Sequence, residues 1–220
     1  MLLTCKQLEK KFGETVILRD VSLSINCGEA VGLIGHNGSG KTVLLKMIAG
    51  LLKPDRGCIW ICDEKISFGK YSRHLGVLIE RPGILLNLSA SENLKALASI
   101  QRIADASRIR SLLELFELDP SDKRPTKKYS LGMKQKLGII MAILDRPRLV
   151  LLDEPMSNLD KNSIQKIRKI LLELIKKEGM SILIATHQKD DIEMLTNKVF
   201  EIKENRLVEV DLFDRKSCFR

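Results

Sequence analysis

Eight residues, Gly35-His-Asn-Gly-Ser-Gly-Lys-Thr42, constrain this chain more than any others. They fit the phosphate-binding loop pattern Gly-x-x-x-x-Gly-Lys-[Ser/Thr] at every defined position. Gly35, Gly38 and Gly40 let the backbone bend around an anion, because glycine reaches positive φ without a Cβ clash. Successive N–H groups then point inward, so His36, Asn37 and Ser39 contribute through their backbone. Lys41 supplies a point charge for β- and γ-phosphates, and the Thr42 hydroxyl is placed to ligate Mg²⁺. The flanks agree. Ala30-Val-Gly-Leu-Ile34 reads as a short buried strand, and Val43, Leu44, Leu45, Met47, Ile48, Leu51 and Leu52 follow at helical spacing. The loop therefore opens a helix whose N-terminus favours phosphate.

The chain has 220 residues, enough for one α/β domain with a sizeable core. The longest apolar runs, such as Leu137 to Leu144, fall short of the roughly 20 residues a membrane helix needs. Lys6, Glu9, Lys10 and Lys11 interrupt any secretory leader, so a cytoplasmic protein is expected. A membrane role would require another chain for the membrane part. Five cysteines are an odd count. Cys58 and Cys62, the close pair, would lie about 13 Å apart on a strand, too far for a disulfide. Reduced cysteines are expected. The net charge of +9 suits nucleic acid, an anionic membrane surface or ATP. The lysines are interspersed with acids and aromatics are only 4%, which leaves no stacking platform for single strands.

The strands Leu2 to Leu8 and Val16 to Ile25 are expected to form an antiparallel sheet beside the nucleotide core, with a turn at Phe12 to Glu14. Phe12 is a candidate to stack on adenine, with an ordinary loop or core aromatic as the alternative. Further strands are read at Cys58 to Cys62, with a turn at Asp63-Glu64, and at Leu75 to Ile79, which stops at Glu80-Arg-Pro-Gly83. Helices are expected from Ser91, taken as N-cap, to about Leu118, with Leu94, Leu97, Ala98 and Ile103 on one face of the first. Another runs from the segment Tyr129 to Gln135 to about Asp145, and an amphipathic one over Lys161 to Glu178, ended by Gly179.

Leu149-Val-Leu-Leu-Asp-Glu154 reads as a buried strand ending in two carboxylates. Asp153 there reaches the Mg²⁺ held by Thr42, and Glu154 can position and activate water. Ser181 to Thr186 is another core strand with His187 at its end. Ligands of open parallel sheets gather at the C-terminal strand ends, so Glu80, Asp153, Glu154 and His187 are expected on one side with the loop. A terminal hairpin, Val199 to Ile202 with Arg206 to Val210, turns at Glu204-Asn205. The tail Phe213 to Arg220 carries no readable signal.

Across nearly its whole length the chain resembles an ATP-binding cassette (ABC) ATPase. Tyr129-Ser-Leu-Gly-Met-Lys-Gln135 resembles the family's signature, and Leu131 and Met133 depart from its commonest form, Leu-Ser-Gly-Gly-Gln. Asn158-Leu159-Asp160 matches the D-loop, with Asn158 in place of the usual Gly or Ala. The stretch around Glu80, from Leu75 through Leu94, is similar to ATPases of bacitracin and lantibiotic self-protection exporters, in which a glutamate replaces the usual Q-loop glutamine. The resemblance implies an α/β fold: a P-loop NTPase core with an antiparallel β-subdomain, over about 1–80 and 146–220, and a helical signature subdomain over about 84–145.

It further implies that two ATPase domains pair head to tail. Each ATP would lie between one P-loop and the partner's signature, with Phe12, Ser130, Gly132, Gln135 and Asp160 among the ATP-binding residues. Mg²⁺ would be held by Thr42, Asp153 and Glu80; Glu154 would activate water and His187 would contact the γ-phosphate. Partners would be a second ATPase subunit, with a homodimer expected and a heterodimer the alternative, and a separate multi-spanning permease reached through the groove near Arg81 to Leu88. The expected function is ATP hydrolysis driving export of a peptide antibiotic or similar amphiphile, on the inner face of a bacterial membrane. A non-transport ABC protein acting on nucleic acid or ribosomes is the alternative. It is disfavoured because such chains usually carry two cassettes or a long coiled-coil insertion. A nucleotide switch without turnover would need a defective carboxylate pair, and Glu154 is intact.

Overall fold

The strand β1 (Leu3–Phe12) turns at Gly13 into β2 (Thr15–Ile25), with Leu3 opposite Ile25 and Phe12 opposite Thr15. The computed structural model describes residues 1–101 and 105–210, the side chain of Gln101 apart. The strand runs four residues past Leu8 because its polar end is satisfied: Lys10 is buried and bonds Asp55 at 2.9 Å. The strand β3 (Ala30–Ile34) feeds the glycine-rich loop and α1 (Lys41–Ile48). That helix stops before Leu51, which is left exposed, because Gly50 takes φ +72°. Then come β4 (Arg56–Ile61) and β5 (Glu64–Lys65), joined by Cys62 and Asp63, both at positive φ as in a two-residue hairpin turn.

The edge strand β6 (Leu75–Leu78) leads into α2 (Ala90–Gln101). The N-cap is Ser89 and not Ser91. Ser89 and Glu92 form a reciprocal capping box, in which Ser89 N–H donates to the Glu92 carboxylate at 2.8 Å and Glu92 N–H to Ser89 Oγ at 3.3 Å. Ile103, expected on the apolar face of this helix, lies outside the described residues. Next, α3 (Ala106–Leu115) is capped by Asp105, and α4 (Leu131–Ile143) by Ser130, whose hydroxyl accepts from Met133 N–H. The remaining elements are β7 (Leu149–Asp153), α5 (Lys161–Glu178), β8 (Ser181–Ala185), α6 (Lys189–Leu195), β9 (Lys198–Lys203) and β10 (Arg206–Val210). The sequence reading missed α6.

Among the described residues the strands form two sheets. One is antiparallel, in the order β2-β1-β4-β5. The other, β10-β9-β3-β8-β7-β6, is parallel except for the edge strand β10. A parallel sheet is covered on both faces, so its strands read as unbroken apolar runs. Alternation then divides them. In β7, Leu149 and Leu151 join the core shared with α1 and the antiparallel sheet. Val150 and Leu152 join the core shared with α4, α5 and the other helices. From α1 itself Leu44, Leu45, Met47 and Ile48 are buried, at about 1.5–3 kcal/mol each. The loop preceding α1 is thereby fixed on a rigid base.

One contact fixes how closely the helical layer meets the sheet. A Cβ on Gly76 of β6 would lie 1.8 Å from the Ala142 carbonyl oxygen of α4 and 2.8 Å from Pro147. Backbone at that distance cannot yield without moving the helix. Gly76→Ala is therefore expected to lose about 3 kcal/mol or more of stability, as strong overpacking does. Urea denaturation would measure it, and a loss below about 1 kcal/mol would mean that α4 shifts easily.

Candidate functional site

Gly35 leaves β3 at φ +147°, and a Cβ there would sit 2.7 Å from Ser39 Oγ. Gly40, at φ +106°, is the N-cap of α1, where a Cβ would meet Ile17 at 3.0 Å. These two positions need glycine on both conformational and steric grounds. The turn folds over Lys41, whose ammonium donates to the carbonyls of Gly35 at 2.6 Å and His36 at 3.1 Å. Burial pushes the Lys41 pKa down, and the negative charges of Glu154 and Asp153 partly oppose the shift. His36 and Asn37 are exposed, with His36 Nδ1 2.8 Å from the Asn37 carbonyl. Ser39 Oγ is buried and has no hydrogen-bond partner among the described residues.

A cleft of about 310 Å³ opens above this loop, lined by Asn37, Gly38, Lys41, Thr42, Glu80, Asp153, Glu154 and Ser157, among others. Thr42 comes from the first turn of α1 and Asp153 from the end of β7; their side chains meet, Thr42 Oγ1 donating to Asp153 Oδ2 at 2.7 Å. Glu80 stands just past β6 at φ +57° and is paired with Lys46 of α1 at 2.6 Å. Thr42, Asp153 and Glu80 thus bring hard oxygen donors to one cleft, the donor chemistry that suits Mg²⁺ alongside phosphate oxygens. Among the described residues no cluster of three His, Cys, Asp or Glu side chains is placed to hold a metal unaided.

Glu154 has φ +47°, and its N–H donates to the Ala185 carbonyl at 2.8 Å, which extends the β7–β8 pairing by one step. Its carboxylate accepts from His187 N–H at 3.1 Å and stands 2.8 Å from His187 Nδ1 on the same oxygen. The two residues assigned to catalysis are therefore in contact, and the His187 side chain is largely exposed.

The signature residues lie elsewhere. Ser130, Gly132, Gln135 and Asp160 do not line the cleft. Ser130 is exposed at the start of α4, beside the exposed Leu131. A Cβ on Gly132 would sit 3.0 Å from the Asn158 carbonyl oxygen, so this end of α4 rests on the D-loop backbone. Asn158 takes φ +61°, which asparagine tolerates better than most residues. Asp160 caps α5 through Ser163 N–H at 3.0 Å. Gln135 is turned inward: it is buried, and its amide donates to the carbonyls of Pro155 at 3.0 Å and Glu154 at 3.3 Å. Phe12 is half exposed, with the Lys10 ammonium 5.4 Å from its ring centre, and is not part of the cleft lining.

Comparison with known proteins bears directly on this arrangement. The family model described as ABC transporter matches residues 18–157. The chain belongs to the ABC transporter family. It is an ABC ATPase, the ATP-binding subunit of a transporter. Over 207 residues it is 37% identical to the lantibiotic transport ATP-binding protein SrtF of Streptococcus pyogenes, covering 94% of this chain and 89% of that one. It is also 37% identical to the bacitracin transport ATP-binding protein BcrA of Bacillus licheniformis, covering 94% of this cassette and 68% of that protein. The dimeric post-hydrolysis structure of the ATP-binding cassette MJ0796, bound to ADP and Pi, superposes with a TM-score of 0.85 at 26% identity, over 96% of this chain and 99% of that one. Among the described residues of this cassette no helix is long and apolar enough to cross a membrane.

The sequence reading did not find a buried group beside the site. Arg168 of α5 donates from Nε to Asp191 Oδ1 at 2.7 Å. Asp191 is fully buried in the first turn of α6. Burial pushes its carboxyl pKa up, and the Arg168 guanidinium opposes that shift. The buried Thr186 bonds Asp191 Oδ2 at 3.2 Å. Arg168, four residues after Ile164 and three before Leu171, falls on the buried stripe of α5, and a charge at that position is the signal that could have found the pair; Asp191 follows another acid and does not stand out in the sequence.

Proposed function

We propose that this cassette hydrolyses ATP as one half of a head-to-tail homodimer and drives a separate multi-spanning permease that exports a peptide antibiotic or similar amphiphile. The single observation that carries the catalytic reading is the Glu154–His187 contact at the mouth of the Lys41 cleft. In this reading the Lys41 and α1 end of the cleft binds the β- and γ-phosphates. Ser39, whose buried hydroxyl has no hydrogen-bond partner among the described residues, belongs to the same loop and contributes through its backbone. Thr42, Asp153 and Glu80 hold Mg²⁺, which when bound offsets phosphate charge. Water attacks the γ-phosphorus, the bridging P–O bond to the β-phosphate breaks, and the proton of the water passes to the Glu154 carboxylate. His187 holds that carboxylate and meets the γ-phosphate.

The exposed Ser130 at the N-terminus of α4 supports the head-to-tail pairing. This helix end lies outside the lining of the chain's own cleft, and its N–H groups, apart from Met133 N–H, which Ser130 Oγ takes, suit the nucleotide of a neighbour. Phe12, half exposed at the end of β1, is assigned to adenine in the same reading. The similarity to lantibiotic and bacitracin transport subunits supports the cargo class. The subunit then sits on the inner face of the membrane, bound to its permease and not to nucleic acid. The expected result is co-purification of the tagged cassette from detergent-solubilised membranes with a multi-spanning protein. Recovery only in soluble complexes with nucleic acid or ribosomes would sink the transport reading.

A further inference from the structure

We propose that Thr186 is a positioning residue for Glu154, held in place by the buried Arg168–Asp191 pair. The inference rests on Glu154 acting as the base. Glu154 is a non-glycine residue at positive φ, a strained backbone position that its surroundings must hold. Among the described residues, His187 and Thr186 supply the hydrogen bonds to that carboxylate. The His187 ring is two-thirds exposed, whereas Thr186 is fully buried. Two donors that do not depend on the ring therefore hold the carboxylate: the His187 backbone N–H on Oε1 at 3.1 Å and, on Oε2, the Thr186 hydroxyl, whose Oγ1 stands 3.4 Å from Glu154 Oε2 and 3.2 Å from Asp191 Oδ2.

That hydroxyl has one proton and faces two carboxylates. It also accepts from Gln188 N–H at 3.0 Å, which fixes its lone pairs and leaves the proton to swing between Asp191 and Glu154. Arg168 fixes the far side of Asp191. The chain Arg168–Asp191–Thr186 thus ties α5 and α6 to the end of β8 and sets where Glu154 Oε2 lies. When the nucleotide draws the His187 ring toward the γ-phosphate, Thr186 is the side-chain contact that, with the His187 backbone N–H, keeps the carboxylate aimed at the attacking water. Removing it disorders the base in the reacting complex while leaving the phosphate cradle of α1 intact.

The test compares Thr186→Val, which preserves shape, with Thr186→Ser, which preserves the hydroxyl, in steady-state ATPase assays and ATP-binding measurements. Thr186→Val is expected to lower kcat about 10–100-fold while KM and ATP affinity stay within about twofold. Thr186→Ser is expected to keep kcat within about threefold of the parent. Asp191→Asn, which leaves Arg168 with the exposed Asp190 as its remaining acidic partner, should follow Thr186→Val if it folds; the threonine pair decides the question if it does not. Glu154→Gln is run beside them. A slow Glu154→Gln with a fast Thr186→Val overturns the positioning role alone. A Glu154→Gln as fast as the parent overturns the base assignment, and the positioning role with it. A Thr186→Val that loses ATP affinity in step with kcat, or a Thr186→Ser as slow as the valine variant, also overturns the proposal, because either marks a general structural defect.

Discussion

Glu154→Gln is expected to bind ATP as the parent does and to hydrolyse it about 10²–10⁴-fold more slowly, the usual contribution of a positioned general base. The substitution keeps the volume of the side chain and a carbonyl oxygen that can still accept from His187 N–H, now at 3.1 Å. It removes the ability to take a proton. The Lys41 ammonium, which feels the Glu154 charge, becomes slightly easier to deprotonate, but its carbonyl partners at Gly35 and His36 are untouched. Binding therefore survives while turnover does not. The ATP-bound pair should accumulate, visible as an ATP-dependent shift to twice the monomer mass in size-exclusion chromatography with light scattering. Turnover at the parental rate would remove Glu154 from the chemistry. Slow turnover without a dimer would place pairing under control of the membrane partner.

Lys41→Ala is expected to weaken ATP binding about 30-fold to several thousand-fold, the range for truncating one member of a buried, hydrogen-bonded charge pair (about 2–5 kcal/mol). The side chain is nearly buried and lies across the base of the cleft. Its ammonium now satisfies two loop carbonyls. Without it those carbonyls face the incoming phosphates as unopposed negative dipoles, so the variant loses an attraction and gains a repulsion. The methyl of alanine fits a helical first turn, so α1 and the fold should persist. Isothermal titration with ATP reads the loss directly, with far-UV circular dichroism as the folding control. An affinity within threefold of the parent would show that the glycine-rich turn and the helix end bind phosphate unaided.

Much of the site was legible because its signals are local. The glycine-rich loop, β3 and α5 were read at their observed limits, since glycine spacing and apolar periodicity need no partner to be seen. The carboxylates of Asp153 and Glu154 follow an unbroken apolar run, the mark of a strand buried on both faces. Other features depend on residues far apart. The inward turn of Gln135 exists only because the carbonyls of Glu154 and Pro155 pass beneath α4. The pairing of Glu80 with Lys46 links a strand end to a helix 34 residues away. Helix α6 has seven residues, three of them acidic, with Ile192 and Leu195 as its buried apolar residues, too little for a periodic signal. The capping box at Ser89 was legible, since Glu92 follows three residues later; a competing serine at Ser91 drew the helix start two residues late.

The Gln135 amide has a consequence beyond packing. It belongs to the segment assigned to a neighbour's nucleotide, yet it grips the backbone at Glu154 and Pro155, beside this chain's own cleft. Gly132 rests on the Asn158 carbonyl in the same way. In a head-to-tail pair, a nucleotide pressing on α4 would push on the peptide that carries the opposite site's carboxylates. The two ATP molecules would then share one mechanical lever. Cooperative turnover, with a Hill coefficient above one, is the expected signature, and Gln135 would be the fulcrum.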